Sequence, residues 1–198
     1  MTAAVAEVFR RRAEPAAALA DAAGAIAAAC HAMAARFHRG GRLLTFGTGA
    51  AATDAQHVAV EFVHPVIVGK RALPALSLTG DVATLTGVCA DAGFDDVFAH
   101  QVRCFGGPDD IALGISPDGR CGSVRRALEC ARELGMLTVA LAGGDPGALA
   151  GAVDHLVTVP SDDPRVVKEV HVTAYHVLWE LVHVFLEQPA VLDQEVTA

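Results

Sequence analysis

His57 and Glu61 lie four residues apart, the spacing that places two side chains on one face of a helix. An imidazole and a carboxylate so placed suit proton transfer or metal binding. By local pattern alone, the pair is equally an ordinary surface i,i+4 pair. A second imidazole, His176, stands among apolar residues in a long C-terminal run of helical spacing. There a histidine is either a hydrogen-bonded, partly buried side chain or a member of a site. Glu180 and His183 continue its stripe at i+4 and i+7; they read as a solvated face or part of a subunit interface, without assigned chemistry. Two loops, Gly47-Thr48-Gly49 and Ser116-Pro117-Asp118-Gly119, each follow a short apolar run and precede a helical one. Backbone N–H groups at such helix starts can face an anion.

These groups need elements to hold them. The alanine-rich stretch from Ala3 to about His38 predicts helix, with a break or start near Pro15 and an end at Gly40-Gly41. Short apolar runs at 42–46, 75–78, 111–115, 137–141 and 156–159 predict five strands. Helical spacing follows at 50–63, 82–89, 94–105, 124–134 and 146–150, and a long last helix covers Arg165 to about Glu187. Strands alternating with helices give right-handed crossovers and a mainly parallel sheet with helices on both faces. Ligands of such sheets sit outside the carboxyl ends of the strands, where both glycine loops fall. No linker or repeat divides residues 1–198, so a single domain is expected, with residues 1–40 as a helical segment packing on the domain or on an oligomer interface.

Composition narrows the function classes. The chain is 53% hydrophobic and 19% charged, which excludes disorder by composition. Its net charge of −8 and its 5% aromatic content leave neither a phosphate-attracting field nor stacking platforms, so no nucleic-acid partner is expected. Arg10, Arg11 and Arg12 read as a solvated helix face. The five cysteines (Cys30, Cys89, Cys104, Cys121 and Cys130) form no C-x-x-C pair, which points to a reducing compartment. Glu7 and Arg10 to Arg12 interrupt the early apolar stretch, so neither a signal peptide nor a bilayer-spanning run is expected, and the expected location is the cytoplasm. A dinucleotide fold is a weak alternative. Gly47-Thr48-Gly49 lacks a full G-x-G-x-x-G beyond an alanine at 52, and Asp81 lies past the strand where a ribose ligand belongs.

Several segments, in order, resemble the phosphoheptose isomerases, which carry the sugar isomerase (SIS) domain. Residues 47–61 are similar to that family's G-N-G-G-S-x-x-D-A-x-H-x-A-x-E segment, 90–98 to N-D-x-G-[FY]-x-x-[IV]-F, and 113–119 to the G-I-S-T-S-G loop. Residues 127–144 resemble the following helix, strand and T-G-K-D-G turn, and Glu169, His171 and His176 the Q-E-x-H-x-x-x-x-H helix. The resemblance implies an α/β three-layer sandwich: a doubly wound, five-stranded parallel SIS sheet with long helices at both ends. It also implies a homotetramer and a phosphorylated sugar as substrate, with aldose–ketose isomerisation through an enediol. On this resemblance Glu61 and His176 are the acid/base pair. Gly47, Thr48, Gly49, Ala50, Ala51, Asp91, Ser116, Asp118, Gly119, Cys121 and Lys168 contact substrate, and His57, Glu61 and His176 are positioned to hold zinc.

The departures from the family pattern are local. Its first-loop serine corresponds to Ala51, its second-loop serines to Asp118 and Cys121, a following arginine to Pro65, and a metal-side glutamine to Lys168. Alanine removes a donor and an ionised Asp118 repels phosphate; Thr48, Thr53, Arg120 and Ser123 are the candidate replacement donors. An ammonium has no lone pair for a metal, so Lys168 weighs against zinc; it reads as a fixed positive charge toward substrate or as a solvated lysine. Two functions stay open at this point. One is a sugar-phosphate isomerase acting on sedoheptulose 7-phosphate or a related sugar. The other is a non-catalytic SIS binding or assembly protein resembling the DnaA-initiator-associating protein.

Overall fold

The computed structural model describes residues 1–192. Five strands, β1 (Leu43–Gly47), β2 (Ala75–Ser77), β3 (Ile111–Ser116), β4 (Leu137–Gly143) and β5 (His155–Val159), form one sheet in the order β2-β1-β3-β4-β5. Every pairing is parallel. The central strands β1, β3 and β4 are buried along their whole length, as near-continuous apolar runs covered on both faces must be. Alternation divides them between two cores. Leu43, Ile111, Leu113, Val139 and Leu141 face one side, and Leu44, Phe46, Ala112 and Ala140 the other.

The first core is closed by α2 (Ala23–His38), α3 (Ala50–Val63) and α7 (Pro164–Leu186), which contribute Met33, Phe37, Phe62, Tyr175 and Leu178. The second is closed by α5 (Val97–Phe105) and α6 (Gly122–Glu133), with α4 (Val82–Ala92) packed beside α5. Asp81, which kept the dinucleotide idea open, is the N-cap of α4 and accepts the Thr84 N–H at 3.1 Å. That role accounts for it without a ribose.

The N-terminal helix α1 (Thr2–Ala17) runs through Pro15, and the break follows it as a 3-10 segment at Ala18–Ala22. One expectation changes here. The helical run Thr2–His38 is long and apolar enough, by length and composition, to cross a membrane. Alanine rather than large side chains supplies that character. The α2 half places Ile26, Met33 and Phe37 in the core against α7 and the sheet, the placement of a core helix.

The carboxyl ends of β1 and β3 meet at the topological switch point, where strand order reverses. Two glycines make the loops there. A Cβ at Gly47 would come within 2.9 Å of the Ala51 carbonyl oxygen, so α3 can start tight against β1 only without one. Gly119 has φ +66°, and a Cβ there would collide with the Pro146 backbone.

Candidate active site

The three chemistry-bearing side chains converge where α3 packs on α7. Thr45 Oγ1 of β1 donates to the Ala55 carbonyl at 2.7 Å and fixes α3 on the sheet. From that helix His57 and Glu61 project toward α7, with His57 Nε2 3.1 Å from Glu61 Oε1. His176 Nε2 of α7 lies 3.8 Å from the same oxygen. Donor atoms of the three residues lie within 4.8 Å of one another. The His57 ring is clamped edge-on by two neighbours of α7, Tyr175 at 5.2 Å and His176 at 5.1 Å between ring centroids.

Each group has a defined hydrogen-bonding state. His176 Nδ1 faces the Val172 carbonyl at 2.8 Å, so its Nδ1–H donates there and Nε2 is the nitrogen left for chemistry. Tyr175 Oη lies 2.7 Å from His57 Nδ1. Burial, with the Asp54 and Glu61 charges adding, holds the Tyr175 phenol above its ordinary range. Glu61 is buried at 7% exposure, and its Oε2 has no hydrogen-bond partner among the described residues. A buried carboxylate oxygen without a donor awaits one, from substrate or from a cation.

This donor set fits a divalent ion with an open coordination position: two imidazoles and a carboxylate, one of its oxygens unpaired. His57 joins through Nε2 when its proton sits on Nδ1. Lys168, which as a bare ammonium would weigh against such an ion, is not bare in the fold. Its ammonium is bound to Asp54 Oδ1 at 2.7 Å, Ala50 O at 3.0 Å and Thr53 Oγ1 at 3.2 Å. All three of its protons are in use. The charge is therefore paired with a buried aspartate, and Lys168 is neither a free cation toward substrate nor a simple solvated lysine. It ties the start of α3 to α7.

The second half of the site is an open cavity of about 680 Å³ at the strand ends, lined by Thr48, Asp118, Arg120, Cys121, Asp145 and Asp162 among others. Cys121 caps α6, with Sγ 3.3 Å from both Thr48 Oγ1 and Ser123 Oγ. Ser116 Oγ is fully buried and accepts the Cys121 N–H at 3.2 Å. Asp118 Oδ1 accepts the Arg120 N–H at 3.0 Å. Gly49 and Ala50 begin the turn into α3, and Ala51 is buried beneath it. Of the candidate replacement donors, Thr53 is spent on the Ala50 carbonyl at 2.7 Å and Ser123 is 1% exposed, which leaves Thr48 and Arg120 at the cavity. Asp91 stands exposed near the end of α4, outside both groups.

Comparison with known proteins identifies the family and the fold. The SIS domain model matches residues 10–143. Phosphoheptose isomerase from Solidesulfovibrio magneticus is 45% identical over 148 residues, 75% of this chain and 72% of that protein. The chain belongs to the phosphoheptose isomerase family of SIS-domain proteins. The corresponding enzyme of a Roseiflexus species is 44% identical over 146 residues, 74% of each chain. Among solved structures, the phosphoheptose isomerase of Francisella tularensis superposes with a TM-score of 0.87 at 34% identity, covering 92% of this chain and 98% of that one. That of Neisseria gonorrhoeae gives 0.84 at 30%, covering 91% and 97%. The five-stranded parallel sheet with helices on both faces is the SIS fold.

Sequence reasoning missed two members of this SIS site. Tyr175 is the chain's single tyrosine and precedes His176, a signal that was available. Asp54 lies within the recognised first segment, but its partner on α7, 114 residues away, is visible only in the fold. His183 also departs from the expected solvated or interface stripe. It is 2% exposed and bonded to the Trp179 and Arg71 carbonyls, whereas Glu180 is exposed.

Proposed function

We propose that this protein interconverts an aldose and a ketose phosphate, with sedoheptulose 7-phosphate or a closely related sugar as substrate. The observation that carries the reading is the meeting of Glu61 and His176, 3.8 Å apart, where α3 packs on α7. Isomerisation takes one proton from the carbon beside the carbonyl and returns one to its neighbour, through an enediol. Glu61 is the base: its Oε1 is held by His57 while Oε2 stays free to accept. His176 is the acid: with Nδ1 committed to Val172, Nε2 is the nitrogen left to pass a proton to the reacting centre.

The cavity at the β1 and β3 ends holds the phosphate. Backbone N–H groups at the starts of α3 and α6, with Thr48 and Arg120, replace the hydroxyls absent at positions 51, 118 and 121. Along α7 the cavity wall ends at Val167, about 13 Å from His176 at 1.5 Å rise per residue. An extended phosphorylated ketose lies between the two. In a separate state, with His176 Nε2 unprotonated, His57, Glu61 and His176 would hold zinc, which when bound would polarise the carbonyl oxygen. The reading includes a cytoplasmic location, a single SIS domain and a homotetramer.

The test is isomerisation of sedoheptulose 7-phosphate and related ketose phosphates by wild type and by Glu61→Gln. Turnover that disappears in the variant supports the proposal. Equal background in both removes it and leaves a binding or assembly role.

A further inference from the structure

Tyr175 packs between α3 and α7 at 1% exposure, and its hydroxyl has one hydrogen-bond partner among the described residues, His57 Nδ1 at 2.7 Å. The direction of that bond decides where the His57 proton lies. A phenol has one O–H, and a buried donor without an acceptor bears its full desolvation penalty. If Nδ1 carried the proton it would donate to Oη, and the Tyr175 O–H would have no acceptor. With Oη–H donating to Nδ1, no donor is stranded. The neutral imidazole then carries its proton on Nε2, 3.1 Å from Glu61 Oε1.

We infer that Tyr175 is a positioning residue: its hydroxyl fixes the Nε2–H tautomer and ring plane of His57, which in turn orients Glu61 with Oε1 occupied and Oε2 free. The chain Tyr175 O–H to His57 to Glu61 runs in one direction and ends on the carboxylate. It prevents rotation of the base away from His176, because the His57 ring is held at both nitrogens and flanked by both α7 side chains. An ion at His57 Nε2 would have to displace that proton and reverse the Tyr175 bond, so the same hydroxyl biases the metal-free protein toward the proton. The kinetic consequence rests on the isomerase reading, whereas the proton position does not.

The experiment uses full-length, chelator-treated protein with 15N-labelled histidine. Long-range 1H–15N spectra are assigned for His57 by comparison with His57→Asn. The expected wild-type signature is a single Nε2–H tautomer, which becomes a mixture in Tyr175→Phe, a change that keeps the ring and removes the hydroxyl. A wild-type His57 protonated on Nδ1, or an unchanged tautomer in Tyr175→Phe, overturns the inference. The wild-type spectrum needs no variant, so a poorly folding Tyr175→Phe does not block the decision. In the isomerase assay Tyr175→Phe loses about tenfold or more in kcat with KM little changed, the range for groups that orient a site residue. A shifted tautomer with unchanged kcat defeats the positioning role. The expected tautomer in a protein without isomerase activity defeats the functional reading instead.

Discussion

His176 Nε2 and Glu61 Oε1 stand 3.8 Å apart across two helices, although 115 positions separate them in the chain. At that distance no direct hydrogen bond joins them. A gap that short admits no further heavy atom between them, so a substrate atom within reach of both would lie to one side of the pair. Both groups come from one chain, so the pair assembles without a contribution from another subunit.

If the pair acts as a unit, its losses do not add. Glu61→Gln and His176→Asn should each lower kcat/KM by about 10²–10⁴-fold, the usual worth of positioned acid–base groups. The double variant should fall little below the worse single one. Steady-state kinetics of the three proteins checks this. Losses that multiply would mean that the two side chains serve separate steps.

Lys168 supplies the second prediction. Asp54 is 4% exposed, and its Oδ1 is held by Lys168. Removing the ammonium leaves a buried carboxylate uncompensated. Lys168→Met should destabilise the fold by about 2–3 kcal/mol, below the ~3–5 of a fully buried pair, because 37% of the Lys168 side chain is exposed and solvent screens it. Asp54→Asn combined with Lys168→Met should recover part of the loss in urea denaturation. Zinc affinity should be unaffected by Lys168→Met and strongly reduced by His57→Ala, as measured by calorimetric titration.

The third concerns acid stability. His171 is fully buried, and among the described residues neither ring nitrogen makes a well-formed hydrogen bond, the approach to the Ala142 backbone included. Burial holds its pKa below the ordinary 6.5, and His155 is shifted the same way by desolvation. The folded protein keeps His171 neutral while the unfolded chain protonates below 6.5. Stability is therefore full above that pH and declines as pH falls, by at most about 1.4 kcal/mol per unit from this group. His171→Leu, which replaces an unpaired polar ring by an apolar side chain, should be near neutral at pH 8. It should also flatten the fall in Tm between pH 7 and 5. A steeper fall in the variant would contradict the assignment.

Much of this architecture is legible in the sequence because it is local. Buried parallel strands read as unbroken apolar runs, as at Leu137–Gly143, and Gly47 and Gly119 mark turns that a Cβ would obstruct. The i,i+4 spacing of His57 and Glu61 gives their shared face. What is not legible depends on helix-to-helix packing. Lys168 reads as a lone cation until α7 docks beside Asp54. Thr53 reads as a spare donor until its hydroxyl is seen turned back on Ala50. His183 reads as part of a polar stripe until two carbonyls enclose it. The alanine-rich start passes a composition test for a membrane span because alanine counts as apolar whether it faces lipid, core or solvent.

The open cavity at the strand ends, the proposed phosphate site, yields the last prediction. The cavity brings three carboxylates, Asp118, Asp145 and Asp162, together with one guanidinium, Arg120. Asp118 occupies a position where the family carries a serine, and its Oδ1 is held toward the loop by the Arg120 N–H at 3.0 Å. A phosphate dianion entering this cavity meets a like charge, which costs about 2 kcal/mol at a separation of ~5 Å in a water-like dielectric and more as water is excluded. Asp118→Ser should therefore lower KM for a ketose phosphate by about 5- to 10-fold and leave kcat unchanged, since the reacting carbons lie elsewhere. The same variant should lower the inhibition constant of inorganic phosphate in parallel. Arg120→Ala should move both constants upward. If Asp118→Ser weakens binding of both ligands, Asp118 accepts hydrogen bonds from the sugar instead of opposing its phosphate, and the anionic group must be held at another part of the cavity.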